Sequence, residues 1–476
     1  MINIKNLNYV FYTFIYVAFI SLSYLNTSFV TSPNDGIFYY SIAKNLVENF
    51  SIYDGTNLTT KVLTPQPGIA IIIAIFLFLF NQYWILPFSI FISAIWIIAI
   101  KNLSSALSIT IFKNLVVLNN KELIKFLIIC ILFSSVFLIR ISTSFYNESL
   151  YIPLQMYLFS KFLLLAFGHE SMDRKNEIIL FLSFFGIFFR TQHIIFLIIF
   201  FGCLFIMKKV RFSYLAIQLI LLLAYFSWII SIQDLIFFEV GNLDANIFYD
   251  LPDKIFLSIN SLALVFNLYF ISLKNYFYSI IIITSLSCIY AAGLVRLYKE
   301  SKIVFAFICS IVISNIGFIF FFIPISYFDD YARFFWFQFI PQTIIFLIGV
   351  DSIFYKYKNF SNPNILLLLF MLSPFLLIFN NEINGKIRQL MFFENSLSNI
   401  NMLDSKWSLS NAIIYSDSLR REVYWVTKKG TFSIDEIFKD GNKCDKQSNN
   451  YLITTKDELD LEMLDSQKNI KLYKAC

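Results

Sequence analysis

Long apolar runs separated by short polar turns extend over the first 380 residues of this chain. Runs such as 126–139, 194–207 and 303–323 are typical of helices that cross the hydrocarbon core of a bilayer, which is about 30 Å thick. The first run, at about 9–29, lacks the small-x-small cleavage site of a signal peptide and is followed by further apolar runs. We therefore interpret it as a retained span of a polytopic, all-helical membrane protein.

The longest stretch without a charged residue, 62–100, allows two topologies. It forms either two antiparallel spans that turn at "NQYW", or one interfacial helix followed by one span. We favour the second arrangement, in which Gly68–Phe80 lies in the outer leaflet and only 83–107 crosses. The stretch 255–273 is treated as another interfacial helix. The later spans are then expected at 123–140, 149–167, 177–189, 191–207, 212–232, 276–295, 303–323, 334–350 and 364–379.

The distribution of Lys and Arg decides between the two topologies. With the N-terminus inside, the arrangement with one interfacial helix places most of the basic residues before 380 on the cytoplasmic side, as the positive-inside rule requires. A second span in 62–100 would place most of them outside. The sequence therefore predicts about eleven spans and a C-terminal segment outside the cytoplasm. The cytoplasmic clusters are Lys113/Lys121/Lys125, Arg174/Lys175, Lys208/Lys209/Arg211, Arg296/Lys299/Lys302 and Lys356/Lys358.

After about residue 380 the continuous apolar runs give way to short alternating segments. "NAIIYSD", "EVYWVT", "YLITT" and "IKLYKA" predict strands, and "SIDEIFKD" and "KDELDLEMLD" predict helices between them. We therefore divide the chain into a transmembrane domain, 1–379, and a small extracytoplasmic α/β domain, 380–476. Cys444 and Cys476 lie in this second domain and could form a disulfide if it faces an oxidising compartment.

Composition agrees with this class of protein and excludes others. Apolar residues make up 58% of the chain and charged residues 14%, far from the average of soluble proteins. The net charge of +6 does not indicate nucleic-acid binding, because acidic and basic residues balance after residue 380 and the excess lies in the membrane domain. Only 2 histidines are present, so the sequence offers no His-rich metal cluster.

The predicted outer loops collect most of the unusual ionisable residues. Such groups at membrane depth are costly and are usually functional or paired, and here four turns on one face carry them. The set consists of Asp35 and Lys61 in the first loop, Arg140 and Glu148 around the next turn, Arg190 and His193 in "FFRTQH", and Asp329, Asp330, Tyr331 and Arg333 in "SYFDDYARFF".

Several of these residues also have a purely structural explanation. Asp35, in "SPND", could serve only as a cap of the following helix, and Glu148 could be the solvated start of the fourth span. Arg140 and Arg333 could be interfacial residues that extend toward the lipid headgroups. For His193 we favour a packed or interfacial histidine over a catalytic one.

Several motifs occur in an order and with a sidedness that resemble one enzyme superfamily. The acid in the first outer loop is followed by "YYSIAKNL" and by "TPQPG", which opens an apolar helix. "FYNESLYIPLQMYLFSKFLLLAF" resembles an acid-bearing loop that opens the fourth span, "GIFFRTQHIIFLIIF" an "LTRPxGLL" turn, and "YARFFWFQFIPQTIIFLIG" an "RYLLPLLP" segment. Over about residues 1–350 the chain thus resembles the GT-C glycosyltransferases, which include lipid A aminoarabinose transferases and protein O-mannosyltransferases. The Asp-Glu pair of the mannosyltransferases is absent, because Asn34 and Gly36 flank Asp35.

The resemblance implies transfer of a sugar from a polyprenyl-phosphate donor to a lipid, glycan or protein acceptor at the outer membrane face. Asp35 would be the general base that takes the proton of the acceptor hydroxyl. Glu148 would be the second acid, which orients the acceptor or a metal ion or tunes Asp35. Arg190, Arg333 and Lys61 would stabilise the departing lipid phosphate. Membrane lipids surround the site, and the need for a divalent metal ion stays open.

Two other functions stay open as well. A flippase or transporter of lipid-linked glycans would carry its ionisable groups inside the helix bundle rather than at one face. A glycan polymerase or ligase also acts on lipid-linked sugars outside the membrane, but such enzymes place their large polar segment between spans, whereas here it follows the last span. We therefore expect an inverting glycosyltransferase of a bacterial plasma membrane.

Overall fold

A computed structural model describes residues 13, 16–24, 33–56, 64, 66–114, 124–125, 128, 146–231, 276–322, 339–356, 398–409, 412–416, 419–427, 431, 450–454, 461, 463–467 and 470–475. Within these residues the chain is mostly helical and carries one small sheet near its C-terminus. The prediction of a mainly helical chain with a small C-terminal α/β unit is confirmed at this level.

Helices make up most of the described residues before 380. They are α1 (Pro33–Asn49), α2 (Gly68–Phe80), α3 (Ile85–Ile109), α4 (Asn147–Ala166), α5 (Arg174–Leu182), α6 (His193–Ile206), α7 (Phe212–Ser231), α8 (Tyr276–Glu300), α9 (Lys302–Phe322) and α10 (Phe339–Lys356). Short 3-10 helices occupy Asn81–Tyr83 and Ser183–Phe188. The side chain of Asp173 accepts a hydrogen bond from the Asn176 N–H and so caps the start of α5.

Helix α2 has the dimensions expected of an interfacial helix. Its 13 residues span about 20 Å, well short of the hydrocarbon core of a bilayer. The first half is buried against the bundle through residues such as Ile69 and Ile73. In the second half Phe78 and Leu79 are 77% and 62% exposed, so the helix presents apolar side chains to its surroundings.

Within the described residues, three helices are long and apolar enough to cross a membrane, namely α3, α4 and α7. This is fewer than the predicted number of about eleven, in part because several predicted spans form shorter helices: the span 177–189 divides into α5 and a 3-10 helix. The predicted segments 255–273 and 364–379 lie outside the described residues, and so does nearly all of 123–140. The shorter apolar helices in the described part are Gly68–Tyr83, Asn176–Phe188, His193–Ile206, Lys302–Phe318 and Ile340–Ile353.

The distribution of side chains on α7 is the reverse of that in a water-soluble helix. Leu219, Ile220 and Leu223 are exposed, whereas Gln218 is buried against the bundle. A soluble protein rarely exposes a contiguous row of large aliphatic side chains. The exposed face of α7 therefore suits contact with lipid, in agreement with membrane association.

The C-terminal unit is built around a four-stranded sheet in the order β1-β2-β4-β3. The strands are β1 (Ile413–Tyr415), β2 (Asn450–Thr454), β3 (Met463–Gln467) and β4 (Ile470–Lys474), and helix α11 (Arg420–Thr427) follows β1. Strands β1 and β2 are parallel, and the other two pairs are antiparallel. Residues 398–407 form a further helix. The unit has its own apolar core, which includes Leu403, Val423, Ile453 and Leu472.

Two local predictions in this unit are wrong. "EVYWVT" forms most of helix α11 rather than a strand, because its apolar residues pack against two different cores. The end of "KDELDLEMLD" lies in β3 rather than in a helix, since Met463 pairs with Tyr473 of β4. "SIDEIFKD", the domain boundary at 379/380, Cys444 and Cys476 lie outside the described residues.

Candidate functional site

A buried ion pair joins the start of α4 to the turn before α6. Glu148 lies in the first turn of α4, where a carboxylate interacts favourably with the helix dipole. Its Oε1 pairs with Nη2 of Arg190, and the two side chains are only 3% and 11% exposed. The Arg190 backbone N–H donates to the Gly186 carbonyl at 3.0 Å, which fixes the turn. Both charges are withdrawn from solvent, so their pairing offsets part of the free energy that burying them costs.

Asn147, next to Glu148, is the centre of a hydrogen-bond network. Its Nδ2 donates to the Tyr39 hydroxyl at 2.8 Å and to the Gln66 carbonyl at 3.2 Å. Its Oδ1 accepts from the Ile69 N–H at 3.1 Å. The side chain is fully buried. A single amide thus ties the start of α4 to α1 and to the start of α2.

The turn before α2 also contacts the turn that carries Arg190. The Gln66 Nε2 donates to the Thr191 hydroxyl at 3.2 Å. Gly68 approaches this turn so closely that a Cβ atom on it would lie 2.6 Å from the Phe189 ring. Helices α1, α2 and α4 and the turn before α6 therefore meet around the ion pair.

His193 is fully buried, and both of its ring nitrogens have partners. Nε2 lies 2.9 Å from the Ser183 carbonyl oxygen, which can only accept, so Nε2 carries the proton. Nδ1 then accepts from the Tyr151 hydroxyl at 3.0 Å. The ring stacks on Phe196 and fills the space beside Gly186. His193 is therefore a packed histidine that connects α4 with α6.

Polar residues give way to aromatic ones farther along α4 and α6. Gln155, Gln192 and Asn315 are buried around a small cavity between α4, α6 and α9. The ion pair thus lies at one end of the bundle, with an apolar layer farther in. The aromatic rings in contact within that layer are those of Phe159, Phe162, Phe196, Phe200 and Phe307.

The structure brings together two of the residues predicted for the site, Glu148 and Arg190. The burial of Glu148 does not agree with the alternative of a solvated helix start. Asp35 lies in α1, one turn before Tyr39, which contacts Asn147. The other predicted site residues lie outside the described residues, and their roles stay predictions: Lys61, Arg140, Asp329, Asp330, Tyr331 and Arg333.

Asp54 is a buried acid in the loop after α1 that is not among the predicted site residues. Its Oδ1 accepts from the Ser41 hydroxyl and from the Thr56 N–H, and its Oδ2 accepts from the Thr56 hydroxyl at 2.6 Å. Three donors compensate the carboxylate, so Asp54 stabilises the loop. The signal in the sequence is "DGT", because Asp before Gly is typical of a turn in which the carboxylate binds the backbone two residues on.

A metal site is not evident in the part of the chain that the structure describes. Within it, no three His, Cys, Asp or Glu side chains come close enough together to hold a metal ion. The predicted acids Asp329 and Asp330 lie outside that part, so the need for a divalent ion stays open.

Comparison with known proteins does not assign this chain to a family. A scan against models of protein families found no match to this chain, and a search of curated proteins found no similar sequence. The GT-C resemblance therefore stays a prediction from the motifs.

Proposed function

We propose that this chain is a GT-C-type membrane glycosyltransferase that moves a sugar from a polyprenyl-phosphate donor to a lipid, glycan or protein acceptor. The proposal places the reaction at the outer face of a bacterial plasma membrane, with about eleven spans and an extracytoplasmic C-terminal domain. The observation that supports it is the buried Glu148–Arg190 pair at the meeting point of α1, α2 and α4.

A buried ion pair contributes little net stability to helix packing, because both charges lose their hydration. Two apolar side chains of similar size would often be as stable or more so, because they carry no desolvation penalty. Ionisable groups within apolar helix bundles usually mark substrate or ion sites. The position of Glu148 and Arg190 at one end of the bundle therefore favours a role toward a charged substrate.

In the proposed reaction Asp35 is the general base. It takes the proton of the acceptor hydroxyl while the hydroxyl oxygen forms a bond to the anomeric carbon of the sugar. The bond between that carbon and the phosphate oxygen breaks, and its electron pair leaves with the lipid phosphate. Attack from the side opposite the leaving group inverts the anomeric configuration.

The cations of the site act on the leaving group. Glu148 holds the Arg190 guanidinium in place before the donor binds, so little reorganisation is needed as negative charge develops on the phosphate. Arg333 and Lys61 are proposed to contact the same phosphate. Helices α1 and α2 would form walls of the cleft for the isoprenoid chain.

The proposal is tested by sugar transfer with purified protein in detergent. The donors are polyprenyl-phosphate-linked hexoses and pentoses, and the acceptors are extracted cell-envelope lipids and glycans. We expect transfer by the unchanged chain and a loss of at least about a hundredfold in Asp35→Asn, since general-base catalysis contributes about 10²–10⁴. Asp173→Asn is the matched control, because Asn caps a helix as well as Asp does.

The outcomes separate the three candidate functions. Near-native turnover by Asp35→Asn would remove Asp35 from the catalytic role. Movement of the lipid-linked donor across vesicle membranes without any transfer would favour the flippase. Products that grow by repeated addition of the same unit would favour the polymerase.

A further inference from the structure

Helix α11 contacts two different cores through opposite sides. Val423 and Val426 pack in the core of the C-terminal unit, together with Leu419 just before the helix. Tyr424 and Trp425 pack instead against the core of the helical bundle. Positions 419, 423 and 426 are spaced by four and three residues and so share one side of a helix, which leaves 424 and 425 on the other. The helix therefore connects the two parts of the chain.

Helix α1 also contacts two parts of the chain, through neighbouring residues. The Tyr39 hydroxyl accepts from Asn147 beside the ion pair, whereas the ring of the next residue, Tyr40, contacts α11. The Tyr40 ring centroid lies 5.0 Å from that of Trp425 and 6.5 Å from that of Tyr424. Helix α1 thus lies between the candidate site and the C-terminal unit, and it contacts both.

The loop after α1 makes a second link to the C-terminal unit. The Thr56 carbonyl accepts from the Thr431 N–H at 3.0 Å and from the Thr431 hydroxyl at 3.3 Å. Both threonines are buried. The Ser41 hydroxyl of α1 and the Thr56 hydroxyl both donate to Asp54. Hydrogen bonds therefore connect Thr431 with α1 through Thr56 and Asp54.

The Tyr424 hydroxyl lies in a buried environment beside acidic groups. Burial raises its pKa, and the nearby Tyr40, Asp54 and Glu48 raise it further. The Lys44 Nζ lies 5.9 Å from the Tyr424 ring centroid, within reach of a cation–π interaction.

We propose that Tyr424 and Trp425 are positioning residues that hold α1 against the start of α4 and thereby set the position of Asp35. This inference rests on the proposed function, in which Asp35 acts on the acceptor. A general base has to lie within hydrogen-bond reach of the proton that it takes. A misplacement of about 1 Å can lower a rate about a hundredfold.

The test compares Trp425→Ala and Trp425→Phe in the full-length chain, by hydrogen exchange and by transfer kinetics. In Trp425→Ala we expect the amides of 36–49 to exchange about tenfold faster, because local opening becomes easier. We expect kcat to fall about ten- to a hundredfold, with the KM for the donor changed less than about twofold. In Trp425→Phe both the exchange of 36–49 and kcat should stay close to those of the unchanged chain, since this variant keeps an aromatic ring against Tyr40.

Trp407→Ala is the matched control. The Trp407 ring packs within the C-terminal unit, 6.1 Å from the Tyr451 ring centroid, and its Nε1 donates to Asp465. This variant disturbs the same unit without touching α1. Exchange in 36–49 and kcat should stay as in the unchanged chain.

Exchange is measured without substrate, so it tests the contact separately from the activity. Unchanged exchange of 36–49 in Trp425→Ala would overturn the inference, and so would an equal effect of Trp407→Ala. If the unchanged chain transfers no sugar while Trp425→Ala still loosens 36–49, the proposed function fails and the role of Trp425 in holding α1 is supported.

Discussion

At the scale of single residues, Glu148 and Arg190 are two charged side chains whose burial costs desolvation free energy, and they lie where α1, α2 and α4 meet. They form an ion pair, and both side chains are nearly excluded from solvent. Removing one partner of such a pair leaves the other charge buried, whereas removing both does not. This asymmetry separates the structural role of the pair from a role in the reaction.

We predict that Glu148→Gln and Arg190→Gln each lower stability by about 3–5 kcal/mol, because each leaves a buried charge without its partner. The double variant Glu148→Gln/Arg190→Gln should lose less than the sum of the two, since neither charge remains. All three should lose sugar transfer per folded molecule. The measurements are the thermal midpoint of the purified protein in detergent and the initial transfer rate.

Asp351 provides the control for this experiment. It is a fully buried carboxylate 3.4 Å from the Arg296 guanidinium, in a second ion pair between α8 and α10. Asp351→Asn should lower the thermal midpoint yet leave the transfer rate per folded molecule near native. Retained transfer in the Glu148→Gln/Arg190→Gln double variant would show that the first pair is only structural.

Part of this site could be predicted from the sequence. That Glu148 and Arg190 lie at the same end of the bundle follows from the lengths of the apolar runs between them. Their direct contact could not be predicted, because it depends on how α4 and the turn before α6 pack. The bond from Asn147 to Tyr39 has the same origin, since nothing in the sequence near Asn147 marks it as the centre of a network.

At the scale of elements, α8 and α10 cross at two glycines. A Cβ atom on Gly293 would overlap the Ile345 carbonyl oxygen, and one on Gly349 would overlap the Ile289 carbonyl oxygen. Small residues let helix backbones approach closely, which is a common basis of helix association in membranes. The close crossing also lets Arg296 of α8 reach Asp351 of α10.

We predict that Gly293→Ala and Gly349→Ala each destabilise the protein by about 1–3 kcal/mol, because the overlapping atom belongs to the backbone and cannot rotate away. The double variant should lose clearly less stability than the two single variants together, since helices already separated by one methyl group have room for the second. Thermal midpoints in detergent provide the measurement.

Gly317→Ala in α9 is the control for the crossing, since nothing lies within 4 Å of a Cβ atom there. This substitution should cause no loss, because Ala has a higher helix propensity than Gly. Equal losses at Gly317, Gly293 and Gly349 would contradict the close crossing.

The elements could be predicted well where polar turns end an apolar run. The predicted spans 212–232 and 303–323 differ by at most one residue at each end from α7 and α9. Helix α11 could not be predicted, because alternating aromatic and β-branched residues in "EVYWVT" resemble a strand. Helix α11 is apolar on two sides because it is buried between two cores. This environment exists only when the whole chain is packed.

At the scale of the whole molecule, α1 connects the candidate site with the C-terminal unit. The unit contacts α1 through Tyr40, and the ion-pair region contacts α1 through Tyr39. The two therefore lie toward the same end of the bundle. This arrangement agrees with the topology favoured by the distribution of Lys and Arg, in which the outer loops and the C-terminal unit share one side.

We predict that an impermeant maleimide labels Ser405→Cys in intact cells but labels Lys302→Cys only after the membrane is permeabilised. Both variants are made in a chain whose 6 native cysteines are replaced. Ser405 is an exposed residue of the C-terminal unit, and Lys302 is exposed at the start of α9 in a predicted cytoplasmic cluster. Equal labelling in permeabilised cells controls for reactivity. Labelling of Lys302→Cys but not Ser405→Cys in intact cells would reverse the topology and place the proposed site on the cytoplasmic side, where an extracytoplasmic lipid-linked donor could not reach it.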